Sequence, residues 1–426
     1  MNFLLFITYL LFFSWLVTRV RFFRESGISK PILVILFLLK VMAGIFYGWM
    51  GVYYAGTAQM VDTWHYHAQA SIEYEILWTN PGEYFSNLFV SNYPQGYSGF
   101  FDSSDSYWND LKSNIFIKFI SILHIFSFEN YYINLIFYSF LSFFGPVAFF
   151  RVIKDHYPGK NNLLIIGIFL APSFLYWCSG LHKEGFLFLA ISLILYHTYR
   201  QLQIGRIKLI HLLGVLLGFL MLFLLRNFLI IVMIPALSAW LLAAKFPKRA
   251  FYIFATVYSA FVLLFFTLRY VNEKLDLPAI VVNKQQAFLK MQGNTSIAIT
   301  ELEPTALSFL INTPQAIALS TLRPFPSDTH HLPSLFAAIE TLLLLTIIIA
   351  SIFFRQKRPR FPDPVLLFIL FFALSLLLVI GFSVNNLGAI VRYRSIVIPF
   401  LLAPAIAVIN WGQIFGLFSN SKKLQN

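Results

Sequence analysis

Residues 209–245 read LIHLLGVLLGFLMLFLLRNFLIIVMIPALSAWLLAAK, and this stretch decides the class of fold. It contains two apolar runs, 209–225 and 228–244, which are separated only by Arg226 and Asn227. Each run is close to the length that an α-helix needs to cross about 30 Å of hydrocarbon. The stretch therefore predicts two membrane-spanning helices joined by a tight polar turn.

Similar apolar runs recur along all 426 residues, of which 58% are hydrophobic and only 12% are charged. That composition excludes an ordinary soluble domain. We predict an all-α polytopic membrane protein with about 11 transmembrane helices, plus interfacial helices in its outer loops. The predicted spans are 3–20, 31–55, 131–150, 162–178, 185–200, 209–225, 228–244, 250–270, 334–354, 363–382 and 395–415.

The charged residues predict the orientation of these spans. Nineteen of the 31 Lys and Arg residues lie in the short connections that alternate spans place on one side, whereas 15 of the 18 acids lie on or near the other. Because basic connections stay in the cytoplasm, we predict a multi-pass protein of the bacterial inner membrane with its N-terminus outside and its C-terminus inside. The net charge of +13 follows largely from this bias and from contact with anionic membrane lipids, so no nucleic-acid partner is needed.

Two longer polar stretches are predicted outer loops of a single membrane domain that covers residues 1–426. The first, 56–130, contains an amphipathic segment at 114–127 that we expect to lie on the membrane surface. The second, 271–333, contains an apolar segment at 305–320, which Pro314 breaks and which we interpret as re-entrant or interfacial. The single cysteine, Cys178, excludes an internal disulfide and a cysteine-based metal cluster.

Unusual polar residues concentrate at the predicted outer ends of the spans. Ionisable groups at membrane depth are costly unless they are paired or lie in a polar cavity, so their concentration on one face indicates a site. We predict catalytic roles for Asp62, His65, Lys183 and Glu184. We predict substrate or phosphate binding by Arg226, Arg323, Asn386, Arg392, Tyr393 and Arg394.

A carboxylate among several cations suits sugar transfer from a phosphorylated lipid. Asp62 would take the proton of an acceptor hydroxyl while the cations stabilise the departing phosphate. Trp64, Tyr66 and Trp177 offer flat faces for sugar rings. The predicted partners are therefore a polyprenyl-phosphate-linked sugar and a glycan or lipid acceptor.

Metal chemistry is an alternative at the start of the first loop. Carboxylate and imidazole groups ligate divalent cations, so Asp62, His65 and His67 form a candidate metal set, and the cofactor stays open. Lys40 lies in the middle of a predicted span, and no partner for its charge is evident in the sequence.

The chain resembles the integral-membrane glycosyltransferases of the GT-C superfamily in its long first outer loop with an acid near its start, its basic outer turns and its number of spans. Shorter stretches resemble patterns in uncharacterised bacterial membrane proteins of surface-polysaccharide gene clusters; these are Pro172-Ser173 to Trp177, Ser179-Gly180, Lys183-Glu184, Arg323-Pro324-Phe325-Pro326 and Asn386 through Arg394. The resemblance implies that Asp62 is the first-loop catalytic acid. The chain departs from many members in lacking an Asp-x-Asp or Asp-Glu pair there.

Three other functions stay open. An oligosaccharide repeat-unit polymerase or ligase would also use a polyprenyl-diphosphate donor but would rely on arginine and histidine. A transporter or flippase for the lipid-linked sugar would usually show internal repeats and polar residues at the membrane midplane, which we do not detect. An exosortase-like peptidase ranks lower, because Cys178 lacks a matching outer His/Arg arrangement in the sequence.

Overall fold

The computed structural model of the protein describes residues 2–53, 62–101, 105–291, 293, 295–329, 331–356 and 363–414. Over these ranges the chain is helical, with two isolated β-bridges and no strand. The start of the predicted first outer loop, His330, the basic residues Lys357, Arg358, Arg360, Lys422 and Lys423, and the C-terminus lie outside the described residues.

The first half of the chain forms the helices α1 (Asn2–Arg19), α2 (Arg21–Arg24), α3 (Lys30–Tyr53), α4 (Asp62–Thr79), α5 (Pro81–Ser86), α6 (Tyr107–Ser127), α7 (Tyr131–His156), α8 (Asn161–Phe169), α9 (Pro172–Ser179) and α10 (Lys183–Ile204). The second half forms α11 (Leu209–Arg226), α12 (Phe228–Lys245), α13 (Ala250–Thr267), α14 (Leu277–Lys290), α15 (Ala306–Ile317), α16 (Leu332–Phe353), α17 (Pro364–Ser383), α18 (Leu387–Ser395) and α19 (Ile398–Val408).

Seven helices of the described chain are long and apolar enough to cross a membrane, or nine if each of two bent pairs forms one span. The bent pairs are α8 with α9, at 55°, and α18 with α19, at 64°. The predicted count of about 11 is not confirmed, because α1 is apolar but short and α10, with Lys183, Glu184 and Arg200, is not among the nine. The tight turn predicted at Arg226 and Asn227 is present between α11 and α12.

The centre of the structure is formed by α7 and α10, which are the most deeply buried helices. They run in the same direction, because Tyr138 bonds to His182 near their starts and Tyr199 bonds to Asp155 near their ends. The bent pair α8 and α9 makes the return crossing between them. Since α7 has 26 residues, it extends about 39 Å. That length places the start of α10 and the end of α7 at opposite ends of the bundle.

The junction between α9 and α10 is held by buried polar groups from two other helices. Lys40 of α3 donates a hydrogen bond of 2.6 Å to the Cys178 carbonyl, which is one of the unpaired carbonyls at the end of α9. The Tyr138 hydroxyl of α7 donates one of 2.5 Å to the His182 carbonyl. Lys40 therefore has a structural role, and the three-residue break between the helices is fixed in position.

Gly185 allows α10 to begin this close to α7. A Cβ added there would lie 2.5 Å from the Cys178 carbonyl oxygen and closer still to the Tyr138 hydroxyl. We expect Gly185→Ala to lower the free energy of unfolding by about 1–3 kcal/mol because it overpacks a buried junction. Thermal unfolding in detergent measures this loss.

The matched control is Gly82→Ala in α5, where the nearest atom to an added Cβ is 3.6 Å away. The control should leave the unfolding temperature almost unchanged. Equal unfolding temperatures for wild type and Gly185→Ala would contradict the close packing at the junction.

The end of the bundle opposite the α9–α10 junction carries a layer of basic groups. Arg151 donates to the Phe22 carbonyl at 3.1 Å, and Lys154 donates to the Ser26 carbonyl at 2.5 Å. His156 pairs with Asp363 at 2.6 Å, which joins the end of α7 to the start of α17. These contacts fasten α7 to α2, to the segment after α2 and to the start of α17 at the face that the charge pattern predicts to be cytoplasmic.

Both predicted loop helices differ in detail from expectation. The segment 114–127 is part of the longer α6, which packs against α4 and buries Lys118 in an ion pair of 2.5 Å with Glu73. The segment 305–320 is not broken at Pro314, because α15 continues through this residue and ends in a π-helical turn at Ala318–Leu322.

Candidate active site

Four helix ends meet beside the α9–α10 junction and bring charged side chains together. Asp62 is the first residue of α4, and Arg226 is the last residue of α11. Lys183 and Glu184 open α10, directly after the buried His182 at its N-cap. Arg392 and Tyr393 belong to α18, the first half of a bent pair. We refer to these seven residues as the cluster.

Asp62 is the member of the cluster that solvent reaches most readily, with 48% of its side chain exposed. Its Oδ2 atom accepts a hydrogen bond of 2.7 Å from Arg392 Nη1 and lies 3.3 Å from His182 Nε2. The other carboxylate oxygen has no partner among the described residues. A held but accessible carboxylate of this kind is suited to remove a proton from a bound hydroxyl.

Glu184 is fully buried and links the cations of the cluster. Its Oε1 atom accepts a hydrogen bond of 3.0 Å from Arg226 and lies 3.6 Å from Arg392 Nε. Its Oε2 atom contacts His182 Nδ1. A buried carboxylate needs such partners, and its place in the first turn of α10 is also favoured by the helix dipole.

Aromatic rings surround the cationic side chains. The Arg226 guanidinium lies 4.3 Å from the centre of the Tyr393 ring, and the Lys183 ammonium lies 5.2 Å from that of Tyr66. Arg392 lies 5.9 Å from the Trp177 ring. Such contacts stabilise cations away from water while leaving N–H groups free for an anionic ligand.

The cluster keeps Asp62 ionised and His182 neutral at neutral pH. Burial would raise the pKa of Asp62, but its hydrogen bonds with His182 and Arg392 and the charge of Arg392 outweigh burial and hold the pKa well below its usual range. Burial, and then the charge of Arg392, lower the pKa of His182 to about 4, although the hydrogen bond with Asp62 acts in the opposite direction. A neutral imidazole has one N–H, so Asp62 and Glu184 compete for a single donor.

The difference between the pKa of His182 in the fold and its ordinary value makes the stability of the protein depend on pH. A histidine that stays neutral in the fold loses stabilisation as pH falls from its ordinary pKa of 6.5 to about 4, because the unfolded chain binds a proton first. We expect acidification across this window to cost wild type on the order of 3 kcal/mol more than His182→Gln. Thermal unfolding in detergent between pH 7.5 and 4.5 measures this difference between the two proteins.

The control for that comparison is His65→Gln, which removes an exposed histidine from α4. Its stability should follow the wild-type curve. Parallel curves for wild type and His182→Gln would contradict the neutral, buried state of His182.

The structure brings together six of the predicted site residues, namely Asp62, Lys183, Glu184, Arg226, Arg392 and Tyr393. It does not bring in His65, which is exposed on α4 and, among the described residues, makes a ring contact with its neighbour Tyr66. The candidate metal set of Asp62, His65 and His67 is also not assembled, because His67 Nδ1 lies 3.3 Å from His124. The described residues contain no group of three or more His, Cys, Asp or Glu side chains able to hold a metal ion.

The structure does not bring Arg394, Arg323 or Asn386 into the cluster. The Arg394 side chain is buried and donates at 2.6 Å to the Arg323 carbonyl and at 2.5 Å to the Thr341 hydroxyl. Arg323 itself pairs with Asp328 at 3.4 Å, and Asn386 caps α18 by accepting from the Ala389 amide at 3.0 Å. These three residues have structural roles outside the cluster.

One member of the cluster, His182, and one neighbour of it, Lys284, were absent from the predicted set. His182 directly precedes Lys183 and Glu184, so a search of the residues next to that pair would have found it. Lys284 of α14 lies within electrostatic range of Tyr393 and Arg226. Nothing in the sequence connects residue 284 with residues 226 and 393, because only the folded chain brings them together.

Comparisons with known proteins do not extend this picture. No protein-family model matches the chain, and neither a curated protein nor a solved structure matches it.

Proposed function

We propose that the protein is a glycosyltransferase that uses a polyprenyl-phosphate-linked sugar donor at the outer face of a bacterial inner membrane, in the assembly of a surface polysaccharide or glycoconjugate. One observation carries the proposal. Asp62 is an accessible carboxylate held by Arg392, and it lies among buried cations at one end of an apolar helical bundle. A base beside phosphate-binding groups is what transfer from a lipid phosphate requires.

The proposed reaction uses each side chain in a defined way. Asp62 accepts the proton of an acceptor hydroxyl, whose oxygen attacks the anomeric carbon of the donor sugar. The bond between that carbon and the phosphate oxygen breaks, and the lipid phosphate leaves with the bonding electron pair. Arg226, Arg392 and Lys183 stabilise the negative charge that develops on the leaving phosphate.

Donor binding would also free the base. Arg392 holds Asp62 at 2.7 Å, and its Nε atom is buried without a hydrogen-bond acceptor among the described residues. A phosphate that draws the Arg392 guanidinium towards itself would weaken its bond to Asp62. The carboxylate would then be available to the acceptor only after the donor has bound.

A second candidate is an oligosaccharide repeat-unit polymerase or ligase. The presence of His182 with two arginines in the same cluster favours it, because that function would rely on histidine and arginine. Both candidates need a lipid-phosphate donor and differ in what they transfer.

Product analysis with reconstituted protein tests the proposal. We would supply purified protein in liposomes with a panel of short polyprenyl-linked sugars and follow labelled sugar by mass spectrometry. Transfer of one sugar with release of lipid phosphate supports the glycosyltransferase, and growth by whole repeat units supports the polymerase or ligase. Movement of unchanged labelled lipid across the bilayer would overturn both in favour of a transporter.

A further inference from the structure

Tyr393 belongs to the cluster but has no part in the proposed reaction. It follows Arg392 directly in α18, and its side chain is partly exposed. The Arg226 guanidinium lies 4.3 Å from the centre of the Tyr393 ring, and the Arg392 guanidinium lies 5.1 Å from it. The ring is therefore in contact with both of the arginines that are proposed to bind the donor phosphate.

The Tyr393 hydroxyl has a proton to donate. Its oxygen accepts a hydrogen bond of 3.3 Å from Arg392 Nη2. A phenol can accept and donate at the same time, whereas a guanidinium has only N–H donors. The phenol proton therefore cannot bond to either arginine, and no acceptor for it is found among the described residues. A free O–H donor beside two cations is suited to an anionic ligand.

Arg392 connects this hydroxyl to the proposed base. Its Nη1 atom donates to Asp62 at 2.7 Å, while its Nη2 atom donates to Tyr393. Both nitrogens belong to one planar guanidinium, so the carboxylate and the phenol lie at neighbouring positions of the same group. A donor phosphate that binds Arg392 and Arg226 would lie beside the phenol, because both guanidinium groups contact its ring.

The charge on this phosphate grows during the proposed reaction. In the donor the phosphate is a diester with one negative charge. The released lipid phosphate is a monoester, which carries close to two negative charges at pH 8 because the second pKa of such a group is about 6. A hydrogen bond strengthens as its acceptor becomes more negative, so a fixed O–H donor would stabilise the transition state more than the bound donor.

We infer that Tyr393 is a further catalytic residue, whose hydroxyl donates a hydrogen bond to the lipid phosphate and stabilises the negative charge that gathers there as the sugar departs. This inference rests on the proposed function, because it adds a residue to the same site. The phenol keeps its proton throughout. The leaving phosphate takes the electron pair of the broken bond, and Asp62 holds the proton of the acceptor hydroxyl. Tyr393 therefore acts as an oxyanion-binding group.

Tyr393→Phe tests the inference, because it removes the hydroxyl and keeps the ring on which Arg226 stacks. We expect kcat for sugar transfer to fall by about 10²-fold, the effect of losing one donor to a developing oxyanion, while KM for the donor changes little. The unfolding temperature of the free protein should stay the same. Tyr74→Phe is the matched control and should keep the wild-type rate, since the Tyr74 ring contacts Trp78 and His124 outside the cluster.

Two matched probes measure the preference for charge without turnover in the purified full-length protein. Geranyl methyl phosphate is a diester like the donor, geranyl phosphate is a monoester like the product, and geraniol controls for binding of the apolar chain. At pH 8 the wild type should bind geranyl phosphate more tightly than the diester. Tyr393→Phe should narrow this preference about tenfold, as measured by the concentration dependence of thermal stabilisation, and Tyr74→Phe should keep it.

The outcomes separate this inference from the proposed function. A wild-type kcat in Tyr393→Phe, or a loss confined to KM, would overturn the catalytic role and leave a lipid-phosphate glycosyltransferase intact. An unchanged probe preference in Tyr393→Phe would also overturn it, because the loss of rate would then have another cause. If the wild type transferred no sugar and bound neither phosphate probe better than geraniol, the proposed function would fall, and the role of Tyr393 with it.

Discussion

Asp62→Asn is expected to lower the rate of sugar transfer by a factor of about 10²–10⁴ while leaving donor binding almost intact. Asparagine has the same shape and still accepts the hydrogen bond that Arg392 donates at 2.7 Å, but its amide cannot take a proton from the acceptor hydroxyl. The loss should therefore appear in kcat and not in KM for the donor. Initial rates at varied donor concentration separate the two.

Glu75→Gln is the control for this experiment, because it removes an exposed acid from the same helix as Asp62. It should transfer sugar at the wild-type rate. Full activity in Asp62→Asn would show that another group accepts the proton, and His182 would be the first to test, since its Nε2 atom lies 3.3 Å from the Asp62 carboxylate.

Glu184→Gln is expected to lower the free energy of unfolding by roughly 3 kcal/mol, the lower part of the range for breaking a buried ion pair. Glu184 has no exposed side-chain surface, and its carboxylate is the shared partner of Arg226 and Arg392. Glutamine keeps one acceptor but leaves two guanidinium groups facing each other without the negative charge between them. Thermal or denaturant unfolding in detergent measures the change.

Glu25→Gln provides the comparison for a surface pair. Glu25 bonds to Arg21 at 2.6 Å, but the Arg21 side chain is 83% exposed, so the change should leave the free energy of unfolding almost unchanged. If Glu184→Gln were as stable as Glu25→Gln, the cluster would not depend on a central carboxylate. Because Asp62 is half-exposed, Asp62→Asn should lower the free energy of unfolding by an amount between those of Glu25→Gln and Glu184→Gln.

The positions of most helices could be predicted from the sequence because apolar runs of spanning length leave few alternatives in a membrane. The run at residues 209–245 forms α11 and α12 with the turn at Arg226 and Asn227. The bend within α8–α9 was not predictable, since residues 162–178 read as one apolar run, and the bend within α18–α19 was not, since residues 387–394 read as an outer connection and not as the first half of a span.

The sequence indicates that the site lies at the ends of the helices, but it does not indicate which of the polar residues there meet. Arg392 and Arg394 have the same predicted role in phosphate binding, because both lie in what reads as a short outer connection. The connection is the helix α18, in which residues two apart point to nearly opposite sides. Arg392 therefore reaches Asp62, whereas Arg394 points to Thr341 of α16. Electrostatic interactions between distant segments, such as that of Lys284 with Arg226, leave no local pattern to recognise.

The bond between Lys40 and Cys178 has a consequence for how the chain enters the membrane. Its two partners are 138 residues apart, so α3 is synthesised long before the carbonyl that satisfies its lysine exists. A lone lysine at the centre of a helix costs about 3 kcal/mol on insertion scales. Until α9 arrives, α3 must remain beside the translocation machinery or lie tilted so that Lys40 reaches water. Membrane integration and assembly of the α9–α10 junction are thereby coupled during biogenesis.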